Sequence, residues 1–66
     1  MKVKMLGEFV QGYSVRRKSD GKEGTIVDIV DDQGVWKVII ATKDDDPPVS
    51  MPPWEARRIW AVEPTR

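Results

Sequence analysis

The apolar residues of this chain fall in short β-branched runs cut by Gly, Asp and Pro, and that punctuation limits the possible folds most severely. No window of about eleven residues places apolar side chains at i, i+3, i+4 and i+7, so no long amphipathic helix is expected. The clearest run, Val35 to Thr42, alternates as a strand does: Trp36, Val38 and Ile40 share one face, and Val35, Lys37, Ile39 and Ala41 the other. The Trp36 face is assigned to the core. The chain therefore reads as all-β. Its 66 residues form one domain, with a core at about 12–62 and a short strand or arm over 1–11.

Other segments follow the same logic. A strand enters through Gly12 and runs over 13–18, with Tyr13, Val15 and Arg17 on one face. Residues 19–22 form an Asp-Gly turn, and Gly24 opens a second strand over 25–30. Ile26 and Ile29 cannot both face inward on a regular strand, so a bulge or sharp bend is expected between them, because a small sheet must curl to enclose anything. Asp31-Asp32-Gln33-Gly34 reads as a hairpin turn. Lys43 to Pro48 is a polar loop, Val49-Ser50-Met51 a very short strand, and Pro52-Pro53 its end. Trp54 to Arg57 is expected to make a single 3₁₀ turn, 58–62 a closing strand, and 63–66 a frayed tail.

A chain this short hides only about 60% of the surface it exposes when unfolded. With no Cys it has no disulfide to compensate, which leaves association as a source of further burial. The absence of both Cys and His removes thiolate nucleophiles, imidazole bases and zinc-finger ligand sets together. Ser14, Ser19 and Ser50 thus have no imidazole to activate them. The run Asp44-Asp45-Asp46 lacks the Gly and Glu spacing of a calcium loop and reads as solvated. No cofactor or metal is expected. The first ten residues hold no apolar stretch of signal-peptide or membrane-span length, so a soluble cytoplasmic protein is expected.

Formal charge is zero, yet it is segregated along the chain. Residues 1–24 carry six basic and three acidic groups, 25–46 two basic and six acidic, and 47–66 three basic and two acidic.

Five short strands with a helical turn before the last resemble the SH3-like barrel over 12–62. Within that fold, Gly12-Tyr13-Ser14-Val15-Arg16 followed by Gly21-Lys22-Glu23-Gly24-Thr25-Ile26 is similar to the KOW motif of ribosomal and transcription-elongation proteins. That resemblance implies a nucleic-acid contact through Arg16, Arg17, Lys18 and Lys22, in which each phosphate neutralised adds salt-sensitive affinity. In layout, Val15-Arg16-Arg17-Lys18-Ser19, Gly24 and Ala56-Arg57-Arg58-Ile59 also resemble the plasmid-borne type II dihydrofolate reductases, which form a tetramer around a central pore. Where that family carries its catalytic V-Q-I-Y strand this chain has Val49-Ser50-Met51-Pro52, and Arg17 stands at the pore lysine. The resemblance then implies a shared architecture without the reductase activity.

Three tryptophans complete the candidate list. Trp54 follows two prolines at a position suited to display, and Trp60 alternates with Arg58 and Val62, so that either Trp60 or Ile59 is left outside. Exposed aromatics beside arginines are the usual composition of interface hot spots. The expected function is a non-catalytic binding module that meets a protein partner, or a second copy of itself, through Trp54, Trp60, Arg57 and Arg58.

Overall fold

A computed structural model describes residues 3–43 and 47–63. The acidic run Asp44–Asp46 and the tail 64–66 lie outside the described residues. The elements in chain order are β1 (Met5–Leu6), β2 (Phe9–Val10), β3 (Ser14–Arg17), β4 (Glu23–Asp32), β5 (Val35–Thr42), β6 (Val49–Met51), α1 (Pro53–Ile59) and β7 (Trp60–Glu63). β1 and β2 form a two-stranded hairpin, and the other five strands form one antiparallel sheet in the order β6-β5-β4-β3-β7.

All-β class is correct, and the five-stranded barrel is not. Seven strands are present among the described residues, and β6 and β7 are the two unpaired edges of an open sheet. The reason is local. β6 has three residues between Pro47-Pro48 and Pro52-Pro53, and proline brings no N–H to a ladder. The chain then crosses from β6 to β7 through α1, which touches both β5 and β7.

The 3₁₀ turn also becomes an α-helix, Pro53–Ile59. Pro52 stands at the N-cap with extended φ −68° and ψ 157°, and Pro53 occupies a first-turn position whose N–H a helix does not need. Glu55 in the first turn and Arg57 and Arg58 in the last agree with the helix dipole. Trp60 closes the helix by donating its N–H to the Ala56 carbonyl.

The expected bend in β4 is present as a register shift between Ile26 and Asp28. It turns Val27 outward, 41% exposed, and lets both Ile26 and Ile29 face the core. Gln33 and Gly34 make the hairpin turn with φ of 56° and 84°, both in the left-handed region that a tight two-residue turn requires. Asp31 steadies it by accepting the Gly34 N–H at 2.9 Å.

The core joins Phe9, Val15, Ile26, Ile29, Val38, Ile40, Met51, Ala56 and Trp60. Two of the three tryptophans exchange their expected roles. Trp36 lies on the same face as Val38 and Ile40 but is 48% exposed, at the hairpin end of β5, where β6 no longer flanks it. Trp60 is only 3% exposed: Arg58 and Ile59 belong to the helix, so the closing strand begins two residues later than expected.

Gly24 lets β4 lie close against β5, with the Trp60 ring beside it. A Cβ there would lie 3.0 Å from Ile40 Cγ2, 3.1 Å from the Ala41 carbonyl oxygen and 3.4 Å from Trp60 Cζ3. Gly24→Ala is therefore expected to overpack the core and lower stability by about 1–3 kcal/mol. Urea unfolding followed by tryptophan fluorescence measures it, and a midpoint equal to wild type would contradict the account; Val27→Thr, at an exposed site, serves as the neutral control.

Candidate functional site

The seven residues of α1 divide by helical periodicity. Ala56 faces the core and is fully buried, while Trp54, Arg57 and Arg58, spaced i, i+3 and i+4, share the solvent side. Trp54 is 64% exposed, an apolar surface of the size that usually marks a contact. Three of the four residues expected to form a partner site are thus brought together. The fourth, Trp60, lies beneath them in the core and presents nothing to a partner.

This helix is tethered at several points. The Arg57 guanidinium donates from Nε and Nη2 to both carboxylate oxygens of Glu8, at 2.8 and 3.1 Å, linking α1 to the β1–β2 turn. Lys18 Nζ donates to the Arg57 carbonyl at 2.8 Å, and the Lys18 backbone N–H to the Ile59 carbonyl at 2.9 Å. Both bonds satisfy carbonyls that a helix C-terminus leaves open. Arg58 is exposed and makes no ion pair among the described residues.

The second expected set, Arg16, Arg17, Lys18 and Lys22, lies on and after β3 beside β7. The side chains of Arg16, Arg17 and Lys18 are bonded within the fold. Arg16 reaches Glu63 at 3.3 Å and the Gly21 carbonyl at 3.1 Å. Arg17 makes two bonds to the Asp20 carboxylate, at 2.9 and 2.6 Å, and its guanidinium carbon stands 5.8 Å from the centroid of the Trp60 ring. The Lys22 backbone N–H joins the same carboxylate at 3.1 Å. The indole Nε1 of Trp60 is the buried side-chain nitrogen left without an acceptor among the described residues.

One surface has no counterpart among the expected sites. Lys4, Met5, Ile29, Val30, Asp31 and Trp36 line an open groove of about 430 Å³ beside the β4–β5 turn. Met5 is 66% exposed at its rim. Trp36 pairs with Asp31 of β4 two residues past the tight turn, whereas β6 pairs β5 only as far as Val38 and leaves Trp36 unflanked on that side. Among the described residues no group of His, Cys, Asp or Glu is arranged to hold a metal ion, and no helix is long and apolar enough to cross a membrane.

The ion pairs set the acid response. Hydrogen bonds from the Arg17 side chain, and then from the Lys22 backbone, hold the Asp20 carboxyl down at about 2. Arg57 lowers Glu8 by its side-chain hydrogen bonds, and Lys4 lowers Asp28 in the same way through a 3.0 Å contact. Depressed carboxylates contribute stability that is complete above their unfolded pKa and is lost as pH falls through the folded one. With no His, nothing with an ordinary side-chain pKa titrates between about pH 5 and 8. The urea midpoint is therefore expected to stay level over that range and to fall between pH 4 and pH 2. Asp20→Asn should make the acid fall shallower, and an unchanged acid limb in that variant would rule out the Asp20 contribution.

No known family model matches the chain, and no curated protein or solved structure is significantly similar to it.

Proposed function

We propose that this chain is a small non-catalytic protein-binding module of the SH3-like kind that engages a partner through the outer face of α1. The observation that carries the reading is the placement of Trp54, largely exposed, beside Arg57 and Arg58 on a helix tethered by Glu8 and Lys18. A pre-fixed aromatic needs little ordering on binding, which is where interface side chains usually lose affinity. Arg57 is already paired with Glu8, so it is Arg58, without an ion pair among the described residues, that favours an acidic partner, since complementary charge steers encounter and rejects like-charged surfaces. The SH3-like kinship is supported by the strand order, in which β3 pairs with the closing strand β7 and a helix separates the last two strands.

The KOW-like alternative, an RNA or DNA contact through Arg16, Arg17, Lys18 and Lys22, has the pairing of those cations against it. Phosphate would have to displace Glu63 from Arg16, Asp20 from Arg17 and a helix carbonyl from Lys18. A reductase-like tetramer has less support, because β6 supplies Val49, Ser50 and Met51 where the family's Gln and Tyr are needed.

The test is NMR titration of the ¹⁵N-labelled protein with an acidic peptide containing Phe and Leu, a basic peptide of matching length, and single-stranded oligonucleotides. The acidic peptide is expected to shift the Trp54 indole N–H selectively, and Trp54→Ala to weaken binding by about 2 kcal/mol, some thirtyfold. Shifts confined to Arg16 and Lys18 that require the oligonucleotide and vanish with salt would replace this reading with the nucleic-acid one.

A further inference from the structure

The groove beside Trp36 and the face of α1 have complementary chemistry. The groove is lined by the apolar Met5, Ile29, Val30 and Trp36 together with Asp31. Its one cation, Lys4, is held by Asp28 at 3.0 Å. Asp31 is exposed and, among the described residues, makes no ion pair; its contact is the Gly34 backbone N–H. The face of α1 offers the reverse: a protruding indole, Trp54, with the unpaired Arg58 one helical turn along. An opening of about 430 Å³ has room for one aromatic side chain.

We infer that the groove receives Trp54 and Arg58 of a second copy of this chain, with the indole against Trp36 and Met5 and the guanidinium on Asp31. This rests on the reading of α1 as a binding face and names its partner. Three observations favour a second copy. Both halves of the contact are present on every molecule; their free charges are opposite; and the chain leaves apolar surface at both places that a core of this size cannot cover. Offset aromatic contacts add to area burial, and a carboxylate and a guanidinium beside them fix the orientation. One indole and one ion pair bury far less than a standard interface, so the contact is weak and exchanges rapidly. It closes as a symmetric dimer where both contacts form at once, and extends head to tail where they do not.

Sedimentation velocity over rising protein concentration, at low salt, tests the inference. Wild type is expected to sediment faster as concentration rises, and Trp54→Ala and Trp36→Ala each to remain monomeric, with circular dichroism verifying their folds. An equimolar mixture of the two variants regains association, because one supplies an intact groove and the other an intact helix face. Arg58→Asp and Asp31→Arg each weaken the contact about tenfold, and their mixture recovers it. A wild type that stays monomeric at millimolar concentration overturns the inference, as does a variant mixture that fails to associate although wild type does. If Trp54 still responds to the acidic peptide in that case, the α1 binding face stands without the second copy as its partner. If it responds to neither, both fail.

Discussion

The last strand holds its place because an indole fits where a side chain is missing. Trp60 opens β7, and its ring lies beside Gly24 on β4, where a Cβ would crowd Ile40 and the Ala41 carbonyl. The contact fixes β7 beside β3, which determines where α1 ends. Because α1 is only seven residues long, fixing its end also fixes its beginning, and so the direction in which Trp54 projects. A helix of this length has little stability of its own in water. Its geometry comes from the tertiary contact at Trp60 and from Ala56, whose small side chain lets the helix approach the sheet closely.

Charge acts on this arrangement as a positioning device. Each ion pair among the described residues is exposed to solvent, and exposed pairs contribute little to net stability. They do join segments that the core leaves apart. Glu8 connects the N-terminal hairpin to α1, Lys4 connects the segment before β1 to β4, and Arg16 connects β3 to the end of β7. Basic groups of the first and last segments thus meet acidic groups distant in sequence, as in Lys4 with Asp28, Arg16 with Glu63 and Arg57 with Glu8. Arg58 and Asp31, which make no ion pair among the described residues, sit beside the two most exposed aromatics.

What the sequence makes legible is what local chemistry decides. The β4 bulge follows from two isoleucines three residues apart, the Gln33-Gly34 turn from its Gly and the acids before it, and the limits of β6 from the prolines around it. The proline pair signals the start of a helical turn but not its length: a single 3₁₀ turn over 54–57 is expected, and the α-helix runs on to Ile59 because its C-terminal carbonyls find partners in Lys18, which no local pattern reveals. Phe9, the largest fully buried side chain among the described residues, leaves no signal in the sequence, since a two-residue strand has no periodicity. The exchange of roles between Trp36 and Trp60 has the same origin. Alternation tells which face a residue occupies, but only the ends of the neighbouring elements decide whether anything covers that face. Of the candidate site, Trp54, Arg57 and Arg58 were readable from composition and the proline pair. The groove was not, because Lys4 and Met5 reach it from a segment without pattern.

An open sheet ordinarily invites association through its edges, and here the edges point elsewhere. β6 offers three residues bounded on both sides by prolines, too short a template for another strand to extend. The helix that crosses from β6 to β7 occupies the path a further strand would take on leaving the sheet. Backbone pairing being blocked at β6, recognition at this side of the molecule passes to side chains, and those available are the ones that the bend of β4 and the tethering of α1 leave outside. The prolines that keep the sheet from closing are therefore also the reason that a helix, rather than an edge strand, presents the aromatic surface.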